Sequence, residues 1–132
     1  MQQIPVYSFT GFLDSGKTKF IQETLEDERF NAGERTLVLL FEEGEEEYDI
    51  STYPHKNVWI ETLDQQTVTT KQLAALQKKY KAERIVMEMN GMQQIGDLYM
   101  KFPETWVVAQ EVMFADATTM ATMAAMSITM VM

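Results

Sequence analysis

Gly11 to Thr18 reads GFLDSGKT, eight residues whose types and spacing suit one task, the capture of a phosphate chain. The pattern is G-x-x-x-x-G-K-[ST], which means little unless a strand leads into it and a helix leads out. Both are predicted here. Ile4-Pro5-Val6-Tyr7-Ser8-Phe9 is an apolar run that ends at Thr10, and Phe20, Ile21, Thr24 and Leu25 then share one helical face. A polyphosphate needs several converging donors with no side chains in the way. Gly11 lets the chain turn out of the strand, and Gly16 lets backbone N–H groups close on phosphate oxygens. The amides of Ser15 to Thr18 would open a helix, where unpaired N–H groups and the positive dipole end favour an anion. That dipole contributes only about 0.3–1 kcal/mol at an exposed site. Lys17 is therefore expected to add a full charge at the terminal phosphates, and the Thr18 hydroxyl to serve as a magnesium ligand.

Magnesium prefers six oxygens and takes one or two from protein carboxylates, so an acid is expected across from this loop. In an open parallel sheet it should stand beyond the carboxyl end of a strand. Three acids follow predicted strands: Glu88 after Ile85-Val86-Met87, Glu43 after Thr36 to Phe41, and Asp116 after the last strand. Glu88 is the first choice, because Gly91 three residues on could give its amide to a γ-phosphate and act as a hinge. The competing reading of Glu88 is an exposed strand-end carboxylate. Glu42 to Asp49 holds six acids in eight residues. Such a run is either a solvated, self-repelling loop or a switch loop in which Glu43 or Asp49 reaches magnesium or the attacking water. His55 is the only histidine and the chain has no cysteine, so a structural or supporting role is expected for it rather than a transition-metal site.

The elements that must position these groups alternate in type. A first helix is predicted from Lys17 to about Arg29, with Asn31-Ala32-Gly33 as its stop. Thr36 to Phe41 is continuously apolar, as a strand covered on both faces would be. Val58-Trp59-Ile60 is a third strand. Thr69 or Thr70 caps a helix carrying Leu73, Leu76 and Tyr80. Arg84 to Met87 opens a fourth strand ending at Glu88, a shorter helix spans Ile95 to Lys101, and a long strand runs from Trp106 to Phe114. Strands alternating with helices predict an α/β three-layer fold with a mostly parallel sheet.

The 132 residues are expected to form one domain, and 45% hydrophobic with 23% charged residues is the composition of a soluble globular chain. A net charge of −9 argues against a nucleic-acid partner, which needs stripes of Lys and Arg. No signal peptide is visible and cysteine is absent, so a cytoplasmic location is expected. Residues 117–132 carry no charge, with Met120, Met123, Met126 and Met130 at helical spacing. A core-facing helix is one reading, and an apolar patch that recruits a second copy or another chain is the other. Sixteen residues with five hydroxylated side chains are too short and too polar for a membrane span.

On GFLDSGKT, LVLLFEEGEEEYD and IVMEMNG, the chain resembles the CobW-type P-loop GTPases, relatives of the nickel-insertion GTPases, from Ile4 to about Ala117. It is most similar to a subgroup with Glu-Glu-Gly after the second strand and Glu-Tyr-Asn-Gly after the fourth. The resemblance implies a P-loop NTPase domain, incomplete at its C-terminus, that binds GTP and Mg2+ and hydrolyses the nucleotide slowly. Its phosphate-loop residues fall on Gly11, Gly16, Lys17 and Thr18, its switch aspartate on Asp49, and its Glu-x-x-Gly on Glu88 and Gly91. Its Asn-Glu after strand two stands here as Glu42-Glu43, and its Val-Asp-Ala as Ala115-Asp116-Ala117. Asp14 replaces a common glycine, although the GHVDHGKT loops of translation-factor GTPases also carry an acid there. The family's Cys-x-Cys-Cys motif, which serves metal trafficking, is missing, and its guanine-reading [NT]-K-x-D motif would lie beyond residue 132.

Lys17, Glu88 and Asp49 are thus the expected catalytic residues. Gly11, Asp14, Ser15, Gly16, Lys17, Thr18 and Gly91 are the expected nucleotide contacts, and Thr18, Glu43 and Glu88 the expected magnesium site. None of Arg29, Arg35 and Arg84 is expected near the loop, so a second copy or a client protein would complete the site. An ATP-dependent kinase or carrier on the same fold, and a non-catalytic binding module, are the competing expectations.

Overall fold

Runs rich in Val, Ile, Leu and aromatic residues become strands here, and the amphipathic stretches between them become helices. The structure, a computed structural model, describes residues 3–11, 17–41, 48–90 and 95–114. In chain order its elements are β1 (Ile4–Gly11), α1 (Lys17–Glu26), β2 (Thr36–Leu40) and a 3-10 turn (Ile50–Thr52). They continue with β3 (Val58–Thr62), α2 (Thr70–Tyr80), β4 (Arg84–Asn90), α3 (Ile95–Tyr99) and β5 (Trp106–Phe114). The strands lie in the order β3-β2-β4-β1-β5, and all four pairings are parallel. This is an α/β fold on a five-stranded parallel sheet. No helix among the described residues is long and apolar enough to cross a membrane.

Both faces of the sheet are covered, which is why β2 carries no polar alternation. Leu37, Val38 and Leu39 are all fully buried. On one face Val6, Leu37, Leu39, Ile85, Met87 and Met89 cluster with Leu73 of α2 and Leu98 of α3. On the other Phe9, Val38 and Val86 cluster with Ile21 and Leu25 of α1 and with Tyr53. Connections that travel from β1 toward β3 therefore lie on one face, and those that return toward β5 lie on the other. A constant crossover hand requires that arrangement.

Several boundaries depart from the sequence expectation. Helix α1 stops at Glu26 rather than Arg29 because Asp27 turns the chain. Its Oδ1 accepts from the Arg29 amide at 2.9 Å, and the Arg29 guanidinium closes on the same carboxylate. That guanidinium holds the Asp27 carboxyl down at about 2. The buried Asn31 then donates its side-chain amide to Leu25 O at 2.9 Å, satisfying a carbonyl the helix end leaves open. Thr69, not Thr70, caps α2 by accepting from the Gln72 amide at 3.1 Å. Strand β2 ends at Leu40 rather than Phe41, β3 runs on to Thr62, β4 continues past Glu88 to Asn90, and α3 ends at Tyr99 rather than Lys101. The Met-rich 117–132 stretch lies outside the described residues.

One irregularity decides which way β5 faces. The partners of β1 step from Val108 opposite Val6 to Gln110 opposite Tyr7, so Ala109 is an extra residue. Trp106 and Val112, six positions apart, would otherwise share a face. With the bulge Trp106 joins the α2–α3 side, Val112 joins the α1 side, and Glu111 comes opposite Ser8. There Tyr99 donates to Glu111 and lies 3.0 Å from Ser8 Oγ.

Gly33 has φ of 110°, while Gly96 sits in α3 with nothing within 4 Å of an added Cβ. Gly33→Ala should cost at least about 1 kcal/mol through backbone strain. Gly96→Ala should gain about 0.5 kcal/mol from a stiffer unfolded chain and better helix propensity. Urea unfolding of both variants checks the pair, and effects of the same sign would contradict the turn conformation.

Candidate functional site

Strands β1 and β4 are neighbours, with Phe9 opposite Glu88, Thr10 opposite Met89 and Gly11 opposite Asn90. Because side chains alternate along a strand, Val86 and Glu88 point to the same face, the one that α1 covers. Thr18 is the second residue of α1. The parallel register and the short path from Gly11 to Lys17 thus bring residues 70 positions apart into contact. The Thr18 hydroxyl donates to Glu88 Oε1. The Tyr48 hydroxyl donates to the other oxygen, Oε2, at 2.8 Å.

Glu88 is only 5% exposed and sits fifth of seven residues in β4. The reading of it as a solvent-exposed strand-end carboxylate is therefore wrong. A carboxyl group this deep needs donors for both oxygens, and hydroxyls from two separate elements supply them. Tyr48 bears the mark of that environment. Burial, and then the negative charge of Glu88, push its phenol well above the usual tyrosine range.

Asp49 is placed differently. Its carboxylate is exposed and caps the 3-10 turn, accepting from the Ser51 amide at 3.0 Å and the Ser51 hydroxyl at 2.5 Å. Those two bonds, the hydroxyl first, lower its pKa. Gln22 of α1 clips the Asp49 backbone at both groups, donating to its carbonyl at 2.9 Å and accepting from its amide at 3.0 Å. The effect is to dock residues 48–53 onto α1 and deliver Tyr48, rather than Asp49, to Glu88. Sequence reasoning passed over Tyr48. The signal was one hydroxylated aromatic residue within a run of acids, next to the aspartate that drew attention instead.

Gly11 closes β1, buried between Asn90 on one side and Phe114 on the other, and Lys17 opens α1. Asp14, Ser15, Gly16, Glu43, Gly91 and Asp116 lie outside the described residues. His55 is exposed, and its ring lies 3.8 Å from where a Cβ on Gly33 would stand. No group of three or more potential metal-ligating side chains occurs among the described residues. A groove of about 410 Å³ lined by Gln65, Gln66, Asp97, Leu98 and Lys101 opens on the α2–α3 side, remote from the Thr18–Glu88 contact.

The arginines are committed elsewhere. Arg84 starts β4, four residues and roughly 13 Å from Glu88 along the strand. It donates to Thr36 Oγ1 at 2.6 Å and Phe30 O at 2.7 Å, and its guanidinium lies 4.0 Å from the centre of the Phe30 ring. Arg35 stacks over Trp59 and donates to Tyr80 O, and Arg29 is paired with Asp27.

No family model, curated protein or solved structure matches this chain.

The Thr18–Glu88 bond is open to a direct test in the ligand-free protein. Thr18→Val leaves one oxygen of a buried carboxyl without its donor and should cost about 1.5–3 kcal/mol in urea unfolding. In a Glu88→Ala background the same change should cost less than about 0.5 kcal/mol, because the acceptor is gone. Equal costs in the two backgrounds would show that the residues are not coupled.

Proposed function

We propose that this chain binds GTP with Mg2+ and hydrolyses it slowly, in the manner of the CobW-type P-loop GTPases. The observation that carries the reading is the Thr18–Glu88 contact. Helix α1, which begins within GFLDSGKT, presents the motif's hydroxyl residue to a carboxyl group on β4, the parallel neighbour of the strand that leads into the motif. A hydroxyl and a carboxyl group are the two kinds of protein group that would hold magnesium or its water beside a triphosphate. A hydroxyl and a carboxyl oxygen are also hard ligands, which suit Mg2+ rather than a thiophilic metal. Neighbouring strands whose connections leave for opposite faces are where sheets of this kind accommodate a ligand.

In this reading the loop amides and the start of α1 cradle the phosphates, and Lys17 supplies a full charge to the terminal ones. Thr18 Oγ1 would hold the metal through its lone pairs while its proton stays on Glu88, and Glu88 would orient the metal's water. Mg2+ held there would supply neutralisation of phosphate charge. Water attacks the γ-phosphorus while the bond to the β–γ bridging oxygen breaks, releasing GDP and inorganic phosphate. With the three arginines engaged at the far end of the sheet or on the surface, no side chain of this chain is assigned to stabilise the bridging oxygen. Turnover is correspondingly slow, and a second copy or a client protein accelerates it.

Isothermal titration with GTP and with ATP, each with and without Mg2+, tests the assignment. GTP should bind, EDTA should weaken it, and Lys17→Ala should lose at least about tenfold in affinity with an unchanged circular-dichroism spectrum. Normal binding by Lys17→Ala would refute the site. A preference for ATP would instead favour the kinase or carrier class, and no binding at all a non-catalytic module.

A further inference from the structure

Resting on that reading, the two hydroxyls that hold Glu88 differ in what they allow. A hydroxyl carries one proton and two lone pairs. Thr18 can therefore keep its proton on Glu88 Oε1 while its lone pairs face a cation. Tyr48 is not compatible in the same way. Its hydroxyl takes Oε2 at 2.8 Å, the carboxyl oxygen that Thr18 leaves for a metal-bound water.

The partners are also anchored differently. Glu88 is fixed inside β4, between β1 and β2, and Thr18 is fixed in α1. Tyr48 belongs to no strand or helix. The segment that carries it is fastened to α1 by side-chain bonds and by the packing of Tyr53 in the α1-side core. Gln22 binds the Asp49 backbone, Thr52 donates to Glu26 at 2.5 Å, and the Tyr53 hydroxyl donates to Gln22 at 2.8 Å. The bonds at Asp49 and Thr52 are exposed, and bonds of that kind open locally before a sheet ladder does.

We propose that Tyr48 is a latch that competes with the magnesium–nucleotide for Glu88, holding Oε2 in the ligand-free protein and leaving it when ligand binds. Tyr48 thereby lowers ligand affinity while stabilising the empty fold. Removing its hydroxyl separates these two effects, since they move in opposite directions. A purely structural tyrosine would weaken both or leave affinity unchanged.

The test compares the intact chain with Tyr48→Phe, which keeps the ring. Without ligand, Tyr48→Phe should melt about 5 °C lower. Its affinity for Mg2+ with a non-hydrolysable GTP analogue, by titration calorimetry, should rise about tenfold. A wild-type chain that binds the analogue while Tyr48→Phe binds it equally or more weakly overturns the latch alone. A wild-type chain that binds no nucleotide overturns the GTPase reading, and the latch falls with it. Should Tyr48→Phe fail to fold, 3-fluorotyrosine placed at position 48 alone reports on the native sequence. Its 19F resonance should move to that of an exposed ring on saturation with Mg2+ and the analogue, and an unmoved resonance overturns the proposal.

Discussion

Burying a carboxyl group inside a parallel sheet is the constraint on which the described site depends. Without partners the group would cost several kcal/mol, so the surrounding elements must supply donors. At Glu88 they do so from two directions, Thr18 at the start of α1 and Tyr48 in the segment that α1 holds in place. Neither donor can reach unless β1 and β4 are adjacent and in register, because β1 fixes where α1 begins. The order of the strands, the placement of α1 and the docking of residues 48–53 are therefore parts of one arrangement.

The two ends of the sheet solve their polar problems differently. At the amino ends of the strands buried groups bond to one another, with Arg84 Nη2 and Asn57 Oδ1 left without a partner among the described residues. Arg84 reaches Thr36 and Phe30 O, Asn57 donates to Asn31 Oδ1 at 2.7 Å, and Asn31 ties back to Leu25. Burial lowers the Arg84 pKa, with the Glu34 carboxylate 4.0 Å away opposing that shift. Those groups anchor α1 and β2 to the sheet. Toward the carboxyl ends the buried acid is met by neutral hydroxyls from two separate elements. A fold that needs a rigid scaffold and an adjustable site can place them about 13 Å apart on the same strand.

Much of this arrangement was legible in the residues. The apolar runs at 4–11, 36–40 and 106–114 give strands because their length and β-branched content suit a covered sheet. The helix after Lys17 follows from its 3.6-residue apolar spacing. Thr18 and Glu88 could be paired from motif logic alone, and the structure brings them into contact. What the residues did not carry was non-local. Nothing in the run from Trp106 to Phe114 announces a bulge at Ala109, because that bulge arises from register against β1. The early end of α1 at Glu26 depends on Asp27 preferring a local turn with Arg29 over another helical residue. Tyr48 went unnoticed for a related reason. Its role comes from Gln22, 26 positions earlier, which pins the adjacent Asp49 and so aims the phenol at β4.

Paramagnetic NMR with Mn2+ in place of Mg2+ addresses the central claim most directly, because broadening reports distance from the metal itself. With threonine methyls labelled and Mn2+·GTP added below one equivalent, the Thr18 methyl should broaden first. Thr36, at the amino end of β2, should stay sharp. Broadening that spares Thr18, or that falls equally on both methyls, would contradict a metal–nucleotide site built on Thr18 and Glu88.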